Sequence, residues 1–408
     1  MTFIQTPETR WAGTNLERAA NHNQRMTLHA IRVHRELTRV ELAAITGLTA
    51  PAISNITRRL LDEGLIVESG QRRGGRGQPA TRLTVRPDAR HAIGLNIDRD
   101  HITLVVLNFT GQVLARATRD VRFALPEQVR SFYRQAIVQL LEEAGVLHET
   151  LIGIGVAVPD DLGVVDLEGR PAAYAQWSST NLTELLSDPF NLPVFVENDA
   201  AAAALGELQF GLGQRHRSFF YILVSSGLGG SLVIDGSLFR GANGRSGELG
   251  FMRSAPDGGR ETVQSFVSLS GLGRMLGAAG LGIEDVVDRA VPTAAASRIV
   301  DEWIDGAAAR LEAPVEAINC LINPDAVLLG GRLPPTIFDR LADAMRARLL
   351  AQRSSVPVVC PIMRAAFSTD APAVGAAILP INHFFLPAAG GSWKKMADQG
   401  GTLADMIA

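Results

Sequence analysis

The chain has 408 residues, 46% of them hydrophobic and 20% charged, with a formal net charge of −3. Those proportions suit globular domains and exclude a disordered chain. No apolar run reaches the roughly 18 residues that a membrane helix needs. The opening residues lack a basic-then-apolar leader, so a cytoplasmic protein with no membrane partner is expected. Two cysteines, Cys320 and Cys360, exclude a disulfide framework and a zinc site built from several thiolates. The charge is uneven. Residues 1–90 hold 14 Arg against 8 Asp plus Glu, while the other 318 hold 25 Lys plus Arg against 34 Asp plus Glu. A basic head on an acidic body is a polyanion-binder signature.

Residues 1–20 read as an extension. Helical periodicity starts near Asn21, with Met26, Ile31 and Val33 as apolar positions. Thr38 followed by Glu41 is a capping box, which predicts a second helix that stops at Gly47. A third helix opens at Thr49, tolerates Pro51 in its first turn and carries the stripe Ile53, Ile56, Leu60 to Gly64. Two short strands, 65–68 and 82–85, flank a basic glycine-rich loop. Three helices and a hairpin describe a winged helix-turn-helix over residues 21–87. Its third helix would enter the major groove, with Thr49, Ala50, Ser54 and Asn55 toward bases, Arg58 toward phosphate and Pro51 also at the DNA. Thr38 and Arg39 would stand at the DNA as well. The loop adds Arg72, Arg73 and Arg76, and Arg76-Gly77-Gln78-Pro79 resembles an AT-hook that enters a narrow minor groove. A small helical protein-interaction module and a merely solvated loop are the alternatives.

From residue 92 strands and helices alternate. Strands are predicted at 93–97, 102–107, 113–116, 151–158, 194–196, 219–224 and 232–234. Helices are predicted near 126–144, 200–209, 262–278, 293–321 and 334–350. This is an α/β domain of nearly 300 residues in two lobes. The segment after Pro380 reads as a loose extension, with a tail from 386 to 408.

Asn198 and Asp199 follow a buried strand, where open α/β sheets bind ligands. An amide beside a carboxylate suits vicinal hydroxyls. The alternative reading is a capped helix start. Around them stand Phe195-Val196-Glu197-Asn198-Asp199-Ala200, Gly206-Glu207, Ser225-Ser226-Gly227-Leu228-Gly229-Gly230, Gly247-Glu248-Leu249-Gly250, Asn323-Pro324-Asp325 and Leu329-Gly330-Gly331. Asp370 and Gly375-Ala376-Ala377 close the series. In this order the motifs resemble the ROK family (repressors, open reading frames and sugar kinases), in its repressor branch. The resemblance implies an actin-like, ribonuclease H-like pair of lobes over residues 92–385, with a sugar in the cleft. Asn198, Asp199 and Glu248 would then stand at the ligand, with Phe251 and Gln264 where the family has two further sugar contacts, and Asn181, in the loop after Trp177, would add another polar contact.

Two departures from the family bear on function. The kinases' Asp-x-Gly-x-Thr phosphate loop is here Asn96-Ile97-Asp98-Arg99-Asp100, whose carboxylates repel a triphosphate. Phe251 replaces the zinc-binding histidine, and residues 253–263 hold neither Cys nor His. No metal, no cofactor and no catalysis are therefore expected. The expected function is a DNA-binding transcriptional regulator of carbohydrate genes, a repressor, with an operator, a sugar effector and a homodimer or homotetramer as its partners. The alternatives are a sugar kinase with a DNA-binding head and a ligand-blind protein whose body only oligomerises.

Overall fold

The structure is a computed structural model that describes residues 16–72, 80–164, 170–254, 261–289, 292–351, 359–367 and 370–387. The chain divides into two units: the described residues up to Ala89 together with Phe385–Pro387, and those of Arg90–Phe384.

The first unit contains helices Leu16–His34, Arg39–Thr46 and Ala50–Asp62. Strand Leu37–Thr38 pairs with Ala80–Val85, which pairs with Ile66–Arg72, all antiparallel. Local chemistry sets the second helix. The Thr38 N–H donates to Glu41 Oε2 at 2.8 Å, and the Glu41 N–H donates back to Thr38 Oγ1 at 3.3 Å. Both orphan donors are thereby satisfied. Gly47 ends that helix at φ 69°, a left-handed conformation that costs glycine nothing. Leu28, Ile31, Leu42, Ile53, Leu60 and Leu83 bury the shared core.

The second unit is built twice on one plan. In the first lobe the strand order is Val113–Asp120, His101–Asn108, His91–Ile97, Leu151–Val158, Val194–Asn198. In the second it is Ser237–Phe239, Leu228–Ile234, Phe219–Val224, Ala326–Gly331, Ile362–Arg364. Each sheet starts with two antiparallel hairpins and continues with two parallel strands. The first hairpin tips of the two lobes, 98–100 and 225–227, therefore occupy equivalent places. Parallel strands buried on both faces read as continuous apolar runs, as in Phe219–Val224.

The structure corrects the loose extension after Pro380. Helix Ala371–Phe385 runs through that proline, and Leu379, Pro380, Ile381 and Asn382 are buried. Pro380 cannot donate to the Ala376 carbonyl. That carbonyl instead lies against Gly155, where a Cβ would overlap it. Close approach to the sheet thus accommodates the missing bond. The single helix expected over 262–278 is two, Val263–Phe266 and Leu269–Ala278. Ser268 is extended between them and accepts from the Gly271 N–H at 3.0 Å, which starts the second helix. The strand expected at 232–234 begins earlier and takes in three residues of the Ser225–Gly230 motif. The Ser225 N–H donates to the Gly227 carbonyl at 3.0 Å, and the strand starts at Leu228.

Candidate ligand cleft and DNA-facing helix

The sequence of Ala50–Asp62 makes one face apolar and the other polar. Ile53, Thr57 and Leu60 are buried, while Ala50, Pro51, Ser54, Asn55 and Arg58 are exposed. Exposed Thr49 caps the helix, accepting from the Ala52 N–H at 3.4 Å. Arg58 donates to Asn55 Oδ1 at 2.8 Å on the open face. The structure therefore groups most of the expected DNA-facing residues in one row. Thr38 is a correction. It is 4% exposed and its hydroxyl is held by Glu41, so it shapes the helix and does not face DNA. Arg39 is half-buried, donating to Thr57 Oγ1 at 3.0 Å and lying 3.6 Å from Glu68. Arg72 ends its strand, and Arg73, Arg76 and the AT-hook-like run lie outside the described residues.

In the second unit a cleft of about 320 Å³ opens at the carboxyl ends of the parallel strands. Asn198, Asp199, Glu248, Phe251 and Gln264 all line it. Asn181 does not. It caps the short helix Leu182–Leu185, accepting from the Thr183 and Glu184 N–H groups at 3.0 and 3.3 Å. A cap and a cleft residue prove compatible at Asn198. Its Oδ1 accepts from the Ala201 N–H at 3.0 Å, and its amide also bonds Asp160. Asp199 Oδ1 accepts from the Ala200 N–H at 2.7 Å.

The cleft is acidic at its closed end. Burial, then the neighbouring Asp98, pushes the Asp199 carboxyl up to about 8. Burial, then Glu248, pushes Asp160 up to about 6. At the mouth Arg245 joins the lobes, donating to Asp161 Oδ2 and Glu248 Oε1, each at 2.8 Å. Phe251 is 55% exposed there, a flat apolar surface beside polar groups. Further ties cross the lobes. Arg240 holds buried Glu197 with two bonds, one of 3.0 Å, and Arg332 reaches Asp100 at 3.5 Å as well as Asp120. The segment expected to lack zinc ligands closes through a bridge between Arg253 and Thr262, with the Ser254 N–H on the Glu261 carbonyl at 2.9 Å.

Sequence reasoning missed Asp160, Asp161 and Arg245 as cleft residues. The signal used for Asn198 and Asp199 was available for the first two, because they directly follow the apolar strand Leu151–Val158. Arg245 sits in a loop with left-handed glycines at 241, 244 and 247, which carries it to the cleft mouth.

A winged helix-turn-helix followed by a duplicated α/β pair of lobes defines the class. The ROK family model matches residues 92–383, and the MarR family model matches 19–77. The chain belongs to the ROK family. An uncharacterized protein y4fQ of Sinorhizobium fredii is 30% identical over 90% of this chain and 92% of its own length. The xylose repressor of Bacillus subtilis is 25% identical over 89% of this chain and 95% of its own. The crystal structure of a ROK family transcriptional regulator, a homolog of the Escherichia coli MLC protein, shares the fold with a TM-score of 0.64. It is 21% identical over 89% of this chain and 97% of that one. Among the described residues no helix is long and apolar enough to cross a membrane.

Proposed function

We propose that the chain is a sequence-specific DNA-binding repressor of carbohydrate genes, controlled by a sugar or sugar derivative in the cleft. The observation that carries this reading is the exposed row Thr49, Ala50, Pro51, Ser54, Asn55, Arg58 on a capped helix, in a chain whose other unit holds a polyol-type cleft. The near full-length likeness to a xylose repressor supports it. Asn198, Asp199, Glu248 and Gln264 supply acceptors and donors for hydroxyls, and Phe251 supplies an apolar face for the sugar ring. Paired heads in a homodimer would read two half-sites.

Fluorescence anisotropy on DNA upstream of the gene and its neighbours, with scrambled competitor at two salt concentrations, tests this reading. The expected result is binding that survives competitor. Binding to every sequence alike, abolished by modest salt, would reject the sequence-specific part. Asp199 favours one second reading, a sugar kinase, because a carboxyl whose proton affinity is raised to about 8 is, in its ionised form, a stronger base toward a hydroxyl than an ordinary carboxylate. Absence of ATP-dependent phosphorylation across a sugar panel would reject it.

A further inference from the structure

The two equivalent hairpin tips of the lobes meet. Ser226, buried at the tip of the second, donates from Oγ to Asp98 Oδ1 at 2.8 Å. The same oxygen accepts from the Arg99 N–H of its own tip at 2.6 Å. Asp98 is 3% exposed and lines the closed end of the cleft with Asp199. A buried carboxylate is costly unless donors are set around it. Here the donors come from both lobes, and the Arg99 guanidinium also lies against Gly227. A hydroxyl from one lobe and a turn amide from the other, converging on one oxygen, form a cradle for an anionic oxygen. The chain fills that cradle with its own side chain.

We infer that the Asp98 carboxylate is a built-in anion at the closed end of the cleft, and that it restricts the effector to sugars carrying no phosphate. This rests on the sugar-effector reading above. The cleft's other charges agree. Asp98, Asp160, Asp161, Asp199 and Glu248 face Arg99, Arg245 and Arg274. Arg245 is taken up by Asp161 and Glu248, and Arg274 donates to the Ser265 carbonyl. A phosphate dianion brought to the closed end would meet the carboxyl groups of Asp98 and Asp199 and a single guanidinium, that of Arg99. Asp98 is thus a specificity-determining residue, and Ser226 orients it.

The test is calorimetry on the full chain and on its Asp98→Asn and Asp98→Gly variants. The probes are xylose, glucose and N-acetylglucosamine, the 6-phosphates of the last two, and inorganic phosphate. The wild type should bind a free sugar at least tenfold tighter than its phosphate and give no heat with inorganic phosphate. Both variants should gain at least tenfold for inorganic phosphate and for the sugar phosphate. Asp98→Asn keeps the side chain's shape and an acceptor for Ser226, so it reads out the charge even where Asp98→Gly loosens the tip. Wild-type preference for the phosphorylated sugar overturns the inference, as does phosphate binding that neither variant changes. Variants that gain phosphate while no sugar binds any form would sink the sugar reading and leave Asp98 as the built-in anion.

Discussion

Asp199 sits where two opposing demands meet. A polyol ligand needs a polar group at the closed end, and burial penalises a charged one. Its carboxyl is held at about 8 against an ordinary 3.8, by burial first and Asp98 second. The folded chain therefore binds this proton more tightly than the unfolded chain. Between those two values protonation favours the fold, so this group's contribution is full in acid and is lost as pH rises toward 8. An Asp199→Asn variant carries no such titration. Its stability relative to the wild type should increase from pH 5 to pH 8 by roughly 3–4 kcal/mol, read by urea unfolding at both values. A constant difference across that range would mean that Asp199 stays ionised in the folded protein. Thr38 makes a second residue-scale prediction. Thr38→Ala removes one half of the capping box and should cost about 1 kcal/mol in the first unit, seen as a lower melting temperature, with no direct loss of a DNA contact.

Among the elements, glycines show which contacts hold the lobes' layers together. A Cβ on Gly375 would overlap the Ala202 carbonyl of helix Asp199–Phe210, whereas Gly273, in helix Leu269–Ala278, has open space. Gly375→Ala should therefore destabilise by about 1–3 kcal/mol through forced backbone shifts. Gly273→Ala should stabilise by about 0.5–1 kcal/mol through helix propensity. Thermal unfolding of the two variants side by side checks both signs. The same contrast explains what the sequence could disclose. Elements set by local chemistry were legible: the capping box at Thr38, the stop at Gly47, and the apolar runs of the central strands. Helix Ala371–Phe385 was not, because Gly375 and Pro380 read locally as breakers and only the partner surfaces at Ala202 and Gly155 make them fit. Strand Ala326–Gly331 is short and glycine-ended, and its pairing partners lie some hundred residues upstream and thirty downstream. The doubled strand order left no repeat in the sequence. In the site, five of the six expected ligand residues share the cleft, and Asn181 was misread because a helix cap and a ligand amide look alike in sequence. Asp98 was visible as a departure from a phosphate loop, but its bond to Ser226 joins residues 128 positions apart and needed the fold.

At the scale of the whole molecule, the basic head and the acidic cleft answer to different ligands. The function requires those ligands to influence each other. Among the described residues four ties join the lobes: Asp98 to Ser226 and Asp161 through Arg245 to Glu248 in the cleft, and Glu197 to Arg240 and Asp100 to Arg332 outside it. A sugar hydroxyl that donates to Glu248 or Asp161 competes with Arg245 for the same oxygens, so the bound and free clefts differ in how the lobes are joined. A ligand can shift an equilibrium only by its differential affinity for the two states. The coupling is also reciprocal, because both orders of binding reach the same complex. If the sugar weakens operator binding by a given factor, saturating operator must weaken sugar binding by that same factor, typically about 5–150-fold. Anisotropy titrations of operator with and without sugar give one factor, and calorimetry of sugar with and without operator gives the other. Arg245→Ala removes the competitor at the cleft mouth. It should raise sugar affinity while shrinking both factors together, because one of the differences between the two states is gone. Factors that stay large and equal in Arg245→Ala would place the switch at another of the four ties. A factor of one in the wild type, in both titrations, would mean that sugar and DNA binding are independent.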